Sequence, residues 1–132
     1  MSAASAPKGN GTLYIYRMPG LVGSAAMADF YVDGKPAISL NVNGYSYCYL
    51  TAGVHEVTQK FNLDIFDPKA MLTDRKTLVD FNMADGGTRY IRLSAGVGDA
   101  SIVWQMNMMP ENAPPKDIWE RRFQAPAAPS CG

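Results

Sequence analysis

Residues 32–57, VDGKPAISLNVNGYSYCYLTAGVHEV, carry the pattern that decides the fold. Short runs of alternating apolar and polar residues are separated by Asp33-Gly34, Asn43-Gly44 and Gly53-Val54-His55. Asp-Gly and Asn-Gly readily adopt the positive φ angles that a tight hairpin turn requires. Two such turns, separated by about ten residues, predict three consecutive antiparallel strands that form a meander.

The same alternation extends over most of the chain and predicts eight short strands. The predicted strands are Thr12–Arg17, Ala28–Asp33, Ala37–Val42, Tyr45–Thr51, Val54–Asn62, Thr77–Met83, Tyr90–Leu93 and Ala100–Met108. Regularly spaced short strands and turns favour a sandwich or barrel over βαβ units. We therefore predict an all-β fold, an antiparallel β-sandwich of seven to eight strands with a short C-terminal helix.

The two ends of the chain differ in composition from the strand-rich middle. Residues 1–11 are small residues with Pro and Gly and predict a flexible tether before a sandwich domain over residues 12–110. Residues 63–75 form the longest predicted loop. Residues 111–124 predict one amphipathic helix that docks Ile118, Trp119 and Phe123 on the sheet, and residues 125–132 a mobile Pro/Ala-rich tail.

Composition and charge limit the classes of function. The 132 residues are 47% hydrophobic and 18% charged, which fits a single folded domain. Twelve basic and twelve acidic residues cancel, so no surface for nucleic acid or anionic lipid is expected. No apolar run approaches the roughly 18–20 residues that span a bilayer.

The two cysteines leave two possibilities open. Cys48 and Cys131 are 83 positions apart and could form a disulfide, provided that the tail folds back onto the strand of Cys48. The simpler expectation is a buried thiol at Cys48 and a free thiol in the tail. Residues 1–11 also contain no secretory signal. The protein is then either cytoplasmic or the mature part of an exported protein.

Four short motifs resemble those of a family of bacterial envelope proteins. The family pattern is Tyr-Arg at the end of a first strand, then Val-Asp-Gly, then Gly-Tyr, then Gly-x-His. The matching residues are Tyr16-Arg17, Val32-Asp33-Gly34, Gly44-Tyr45 and Gly53-Val54-His55. Ala52 departs from the pattern, since Pro commonly precedes that last glycine. The resemblance covers about residues 12 to 62.

Members of this family are mostly lipoproteins with a domain of unknown function. The resemblance implies a small β-sandwich of the carboxypeptidase-regulatory or Ig-like kind, export, and an N-terminal lipidated cysteine. Membrane contact would then occur only through a lipid anchor, which residues 1–132 do not carry. The family brings no catalytic residues. It implies that Tyr16, Arg17, Asp33, Gly34, Gly44, Gly53 and His55 have structural roles.

Three groups of side chains are candidates for function. Tyr45, Tyr47 and Tyr49 share one face of a strand, and this face either packs under Trp119 and Phe123 or binds a protein or glycan. Met106 and Met108 are core residues or, as a weaker alternative, ligands for Cu(I). His55, the only histidine, is a structural residue or a general base.

We therefore expect a non-catalytic accessory or structural subunit of a bacterial cell-envelope assembly. It would act by protein–protein interaction on the periplasmic side of the outer membrane, with other subunits of that assembly as partners and no cofactor. The alternative location is the cytoplasm. The alternative functions are a glycan- or peptide-binding module and a periplasmic Cu(I) carrier. An enzyme is not expected, since one histidine and scattered acids provide no nucleophile–base pair.

Overall fold

The computed structural model describes residues 7–18, 27–62, 77–98, 101–110, 116–126 and 128–131. Within these residues nine strands form two facing sheets, which confirms the predicted β-sandwich. The strands are β1 (Asn10–Arg17), β2 (Met27–Val32), β3 (Lys35–Leu40), β4 (Gly44–Thr51), β5 (Gly53–Asn62), β6 (Thr77–Met83), β7 (Thr88–Gly98), β8 (Ser101–Met109) and β9 (Arg122–Phe123). The predicted loop over residues 63–75 lies outside the described residues.

The strand order mixes parallel and antiparallel neighbours. One sheet has five strands in the order β8-β7-β1-β4-β9, and the other has four in the order β3-β2-β5-β6. β1 is parallel to β7 and β4 is parallel to β9, whereas the other pairings are antiparallel. The prediction of a wholly antiparallel sandwich is therefore wrong at two pairings. β7 follows β6, which belongs to the other sheet. No hairpin therefore connects β7 to its neighbour β1, and the two strands need not be antiparallel.

The turn signals predicted where the chain reverses but not which strands pair. Asp33-Gly34 joins β2 to β3 as a true hairpin, with φ angles of 51° and 82°. The first residue of Asn43-Gly44 also has a positive φ, 65°, and the Gly44 N–H donates to the carbonyl of Asn41 at 3.1 Å. However, β3 and β4 belong to different sheets, so the predicted three-stranded meander is wrong. The residues Asp85-Gly86-Gly87 likewise lie between strands of different sheets.

The core lies between the inner faces of the two sheets. Its buried members include Leu13, Ile15, Cys48, Leu50, Ile91, Leu93 and Met106 from one sheet and Phe30, Val32, Ile38, Leu40, Val57, Phe81 and Met83 from the other. Cys48 and Leu50 of β4 point into this core, on the face opposite to the tyrosines of the same strand, so the prediction that Tyr45, Tyr47 and Tyr49 share one face is confirmed. β1 is buried on both faces, although its alternating sequence is typical of a strand with one buried face. It lies in the middle of its sheet, where the outer face is covered as well.

The C-terminal segment departs most from the sequence-based prediction. Instead of an amphipathic α-helix over residues 111–124, the described residues contain one 3₁₀ turn, Lys116–Glu120, followed by β9. The tail predicted to be mobile lies along the edge of β4, where the Tyr49 N–H donates to Pro129 O and the Cys131 N–H donates to Tyr49 O. These bonds satisfy backbone groups that the edge of the sheet would otherwise present to water.

A disulfide fixes this tail. Cys131 is bonded to Cys48, with their Cα atoms 5.5 Å apart, so the expectation of two free thiols is wrong. Both cysteines are buried among the apolar residues of the core. The sequence could not decide this point, since it depends on the return of the chain to β4 after the 3₁₀ turn.

Candidate functional site

Six of the seven tyrosines lie on the outer face of the five-stranded sheet, which we call the tyrosine face. They are Tyr14 and Tyr16 from β1, Tyr45, Tyr47 and Tyr49 from β4, and Tyr90 from β7. Strand register aligns them in rows across the sheet, because residues that pair across strands point to the same face. Tyrosines two residues apart in one strand lie on the same side of the sheet, because successive side chains alternate between its two faces.

The rings of the tyrosine face contact one another. Tyr14 is central, with its ring centroid 5.2 Å from that of Tyr90 and 5.6 Å from that of Tyr47. Tyr47 also lies 6.1 Å from Tyr49 and 5.7 Å from Phe123. Such spacings are those of favourable aromatic pairs. The sequence located the three tyrosines of β4 but not Tyr14 or Tyr90, which join the group only through strand pairing.

The C-terminal segment covers part of the tyrosine face. Ile118 of the 3₁₀ turn is fully buried in the tyrosine cluster, and the Phe123 ring packs 5.5 Å from Tyr45. Tyr47 and Tyr49 remain half-buried, and Phe123 is 42% exposed. These three rings form the accessible part of the face. The side chain of Trp119, predicted to pack here, is outside the described part of the structure.

Burial raises the pKa of two hydroxyl groups on the tyrosine face. Burial, reinforced by Tyr14 and Tyr47, raises the pKa of Tyr45 above its ordinary value, and burial beside Tyr14 likewise raises the pKa of Tyr90. A neutral phenol can both donate and accept a hydrogen bond. The face can therefore offer hydrogen bonds as well as an apolar surface to a ligand.

One end of the tyrosine face is charged, and we call it the arginine end: Tyr16, Arg92, Asp117 and Arg121. Tyr16 pairs with Arg92 in the β1–β7 register, and Arg92 Nη1 lies 3.9 Å from Asp117 Oδ2. Burial, followed by the charge of Asp117 and its hydrogen bond from the Tyr16 hydroxyl, raises the pKa of Tyr16 well above its usual value, while Arg92 and Arg121 act in the opposite direction. No local sequence pattern signals this group, because its members come from three distant segments.

Gly44 explains how β9 docks beside the tyrosines. A methyl group at Gly44 would collide with the side-chain oxygen of Gln124. That oxygen accepts a hydrogen bond from the Asn41 N–H at 2.8 Å, and the Gln124 N–H donates to Tyr45 O at 2.8 Å. The Gly-Tyr motif thus provides the close approach that the C-terminal segment needs.

The Val-Asp-Gly and Gly-x-His motifs meet in one cluster. His55 Nδ1 donates to Asp33 Oδ2 at 2.6 Å, and His55 Nε2 donates to the carbonyl of Thr51 at 2.7 Å. The other Asp33 oxygen accepts from the Glu56 N–H at 2.9 Å. Gly53 has a φ of 129°, which favours glycine, at the start of the strand that carries His55.

The geometry makes His55 a poor general base. Both of its ring nitrogens face oxygen acceptors, so the ring is held as an imidazolium. Burial acts to lower the pKa of His55, but the hydrogen bonds to Asp33 and to the Thr51 carbonyl, with the Asp33 charge, raise it overall. The arrangement fits the structural role that the motif implied.

The Tyr-Arg motif connects the two sheets. Arg17 is fully buried, and its Nη1 donates to the carbonyl of Leu40 at 3.0 Å, which joins β1 to β3. Burial lowers the pKa of Arg17 from its ordinary value. This motif, like the cluster around His55, holds backbone in place rather than opening onto a cleft.

The methionine candidates lie on the inner face of β8. Met106 belongs to the core cluster and Met108 packs against it. Their neighbours in the β7–β8 register are Leu93 and Ile91, which are apolar. Among the described residues no three His, Cys, Asp or Glu side chains are grouped as metal ligands. The placement of the methionines fits the core role better than a copper site.

Comparisons with known proteins identify a family but no activity. The family model described as "Protein of unknown function (DUF2846)" matches residues 7–105. Searches of the curated proteins and of the solved structures found no match. No helix in the described residues is long and apolar enough to cross a membrane. Since the family model spans three quarters of the chain, the protein belongs to the DUF2846 family.

Proposed function

We propose that the protein is a non-catalytic accessory subunit of a bacterial cell-envelope assembly and acts by protein–protein interaction. It would be a lipoprotein on the periplasmic side of the outer membrane. The observation that carries the proposal is the Cys48–Cys131 disulfide, which is buried in the core and attaches the tail to β4. Disulfides persist in oxidising compartments such as the bacterial periplasm and are rare in the cytosol.

The arrangement of polar groups supports a binding role over catalysis. His55 is engaged at both nitrogens, and Arg17 reaches across the core to a backbone carbonyl. Among the described residues, Tyr47, Tyr49 and Phe123 form an accessible aromatic surface. Tyrosines at such positions are frequent at protein interfaces, because the ring is apolar and the hydroxyl can bond to a partner.

A second surface is available for docking along the edge of the four-stranded sheet. A cavity of about 320 Å³ lies between β3 and the C-terminal segment, lined by Pro36, Ile38 and Ser39 on one side and by Ala125 and Pro126 on the other. β3 is an edge strand, so an extended segment of a partner could add to it through backbone hydrogen bonds.

One preparation from native membranes can test the state of the two cysteines, the modification of the N-terminus and the identity of the partner. In cells that express the full-length gene product, free thiols are alkylated before lysis. The purified protein is then crosslinked and analysed by mass spectrometry. The proposal expects no alkylated cysteine, a lipid-modified N-terminus and one stoichiometric envelope partner. Alkylation at both Cys48 and Cys131 in an unmodified, solitary monomer would contradict it and would favour the cytoplasm.

The tyrosine face also supports a glycan- or peptide-binding module as a second candidate function. The specific observation is the connected strip of Tyr47, Tyr49 and Phe123, since exposed rings stack on the apolar faces of sugars and peptides. Titration with peptidoglycan fragments should quench tyrosine fluorescence, and Tyr47→Ala should abolish the response. Tyr31→Ala is the matched control, because Tyr31 lies on the other sheet. Equal responses in the two variants would exclude the tyrosine face.

A further inference from the structure

The edge of β3 presents backbone groups to the cavity that separates it from the C-terminal segment. Just beyond the strand, the Asn41 N–H donates to the Gln124 side-chain oxygen at 2.8 Å, and the Asn41 carbonyl accepts from the Gly44 N–H at 3.1 Å. The backbone groups of Asn41 therefore point out of the four-stranded sheet. Alternate residues of an antiparallel strand direct these groups to the same side, so Ser39 presents its N–H and carbonyl at this edge. Ser39 also lines the cavity.

Only a short part of this edge can pair with another strand. The β2–β3 register skips Ala37, which forms a bulge in β3. Pro36, the residue before it, has no N–H to donate. At the other end the Gln124 side chain already binds the Asn41 N–H. Pairing at this edge therefore centres on Ser39, and an added segment needs to match only a few residues of β3.

One carboxylate lies in the wall of this cavity. Asp29 of β2 lines it, and its Oδ1 accepts a hydrogen bond from the Ser39 hydroxyl at 2.7 Å, which turns the carboxylate toward β3. The neighbour of Asp29 on the other side, across β5, is Lys60. The Lys60 ammonium, however, lies over the Tyr31 ring, 5.6 Å from its centroid. Among the described residues no basic side chain forms an ion pair with Asp29, so its negative charge is available on the cavity side.

The rest of the cavity wall is mostly apolar. Pro36, Ala37 and Ile38 of β3 form one side, and Ala125 and Pro126 form the other. The volume of about 320 Å³ is at the lower end of the range of ligand pockets, about 300–1,000 Å³, so the cavity has room for one long side chain. Lysine and arginine have an apolar stem and a basic tip. An apolar cavity with one carboxylate therefore suits either of these side chains.

We propose that the β3 edge binds an extended segment of a partner protein and that the cavity accepts a lysine or arginine side chain of that segment. The segment exchanges backbone hydrogen bonds with Ser39, as in strand addition. Residues that pair across strands point to the same face, and Ser39 pairs with Asp29, so the segment residue opposite Ser39 projects on the side of Asp29. Its basic group binds the Asp29 carboxylate. This partner chemistry rests on the proposed role in protein–protein interaction, which it makes specific.

The experiment uses a capped pentapeptide with lysine in the centre, threonine on either side of it and valine at both ends. A second peptide, with glutamate in place of lysine, is the control for charge. Backbone amide resonances of the full chain are followed by nuclear magnetic resonance during each titration. We expect saturable shifts at Ser39 and Ala37 with the lysine peptide, and none at Asp80, which lies on the opposite edge strand β6. The glutamate peptide should bind about tenfold more weakly, as the loss of a charged hydrogen bond predicts.

Two pairs of variants test the side-chain and backbone contacts separately. Asp29→Asn should weaken binding of the lysine peptide about tenfold and remove its advantage over the glutamate peptide. The matched control Asp80→Asn, at another exposed aspartate of the same sheet, should bind as the wild type does. Ser39→Pro removes the N–H that faces the edge and should abolish binding, because a proline there has no donor for the added segment. Ser39→Ala keeps that N–H and should still bind.

Equal binding of the two peptides to the wild type, or equal losses in Asp29→Asn and Asp80→Asn, would overturn the proposal. Binding that persists in Ser39→Pro would exclude strand addition at this edge. In the preparation from native membranes, a partner whose crosslinks map to Tyr47 and Tyr49 rather than to β3 would overturn this site and leave the role of accessory subunit intact. A protein that is solitary in that preparation but binds the lysine peptide at Ser39 would contradict the subunit role and support the site.

Discussion

His55 illustrates how much of the family motif depends on one charged side chain. Its two ring nitrogens bond to Asp33 and to the Thr51 carbonyl, so the imidazolium connects the β2–β3 turn to the start of β5. Asp33 is also held by the Glu56 N–H. The Val-Asp-Gly and Gly-x-His motifs are therefore two halves of a single contact, which explains why they occur together in this chain.

The state of His55 should make stability depend on pH. Its folded pKa is raised above the ordinary 6.5, so its contribution is complete below that value and is lost as the pH rises through the folded pKa. For Asp33, burial acts to raise the pKa, but hydrogen bonds from Glu56 and His55 and the nearby positive charges lower it below 3.8. The contribution of Asp33 is present above 3.8 and is lost as the pH falls through the lowered value.

His55→Gln should therefore lower the unfolding free energy most at pH values between the lowered pKa of Asp33 and the raised pKa of His55. We expect a loss of about 1–2 kcal/mol in unfolding free energy in mildly acidic solution, and a smaller loss in alkaline solution. The expected loss is small because the Asp33 side chain is 41% exposed and water screens its charge. Urea denaturation across the pH range measures it. A difference between wild type and variant that stays constant with pH would show that His55 does not carry the charge inferred from its contacts.

Among the structural elements, β9 depends on a close contact at Gly44. Gly44→Ala would displace the Gln124 side chain and remove its hydrogen bond to the Asn41 N–H. We expect a cost of about 1 kcal/mol, since the colliding atom is the end of a flexible side chain. In a Gln124→Ala background the same change should cost clearly less, and denaturation of the four variants measures the coupling. If the losses of unfolding free energy from Gly44→Ala and Gln124→Ala simply added in the double variant, the two residues would not be in contact.

The 3₁₀ turn should depend on Ile118, which anchors it to the tyrosine face. Ile118 is fully buried, whereas Leu78 on the outer face of β6 is 55% exposed. Ile118→Ala should therefore lower the unfolding free energy by about 2–4 kcal/mol, and Leu78→Ala by only about 0.5 kcal/mol. The same denaturation assay compares them. Similar losses in the two variants would mean that the turn is not held by Ile118.

The sequence predicted elements better than it predicted their neighbours. Alternation placed Tyr45, Tyr47 and Tyr49 on one face of β4 and Cys48 on the other, because side-chain direction is a local property of a strand. Asn43-Gly44 correctly signalled a turn, but not the change of sheet that follows it. Which strands pair depends on contacts between distant segments, and no local pattern records them.

The same reasoning explains what the sequence revealed of the candidate sites. The tyrosines of β4 were found because they lie two residues apart. Arg92 and Arg121 were not, because only strand pairing and the return of the C-terminal segment bring them near Tyr16. The predicted amphipathic helix became a 3₁₀ turn and a short strand, since the edge of β4 offered hydrogen bonds to the chain that followed.

For the molecule as a whole, the disulfide joins the C-terminal residues 128–131 to β4 in the five-stranded sheet. It joins residues 83 positions apart, and a loop of that length predicts about 4–5 kcal/mol of stabilisation through the unfolded chain. The tail also donates and accepts backbone bonds along β4, so the bond and the edge pairing support each other.

The double variant Cys48→Ala, Cys131→Ala should lower the unfolding free energy by roughly 4 kcal/mol while the two sheets persist. Hydrogen exchange should show the reason. Protection should fall at the Cys131 and Tyr49 amides, which bond across the tail, and remain on β1 and β7. Because both sulfurs are buried, wild type should resist mild reductants unless it is first unfolded. Rapid reduction of the native protein, or unchanged protection of the tail in the variant, would instead mean that edge pairing with β4 alone holds the C-terminus.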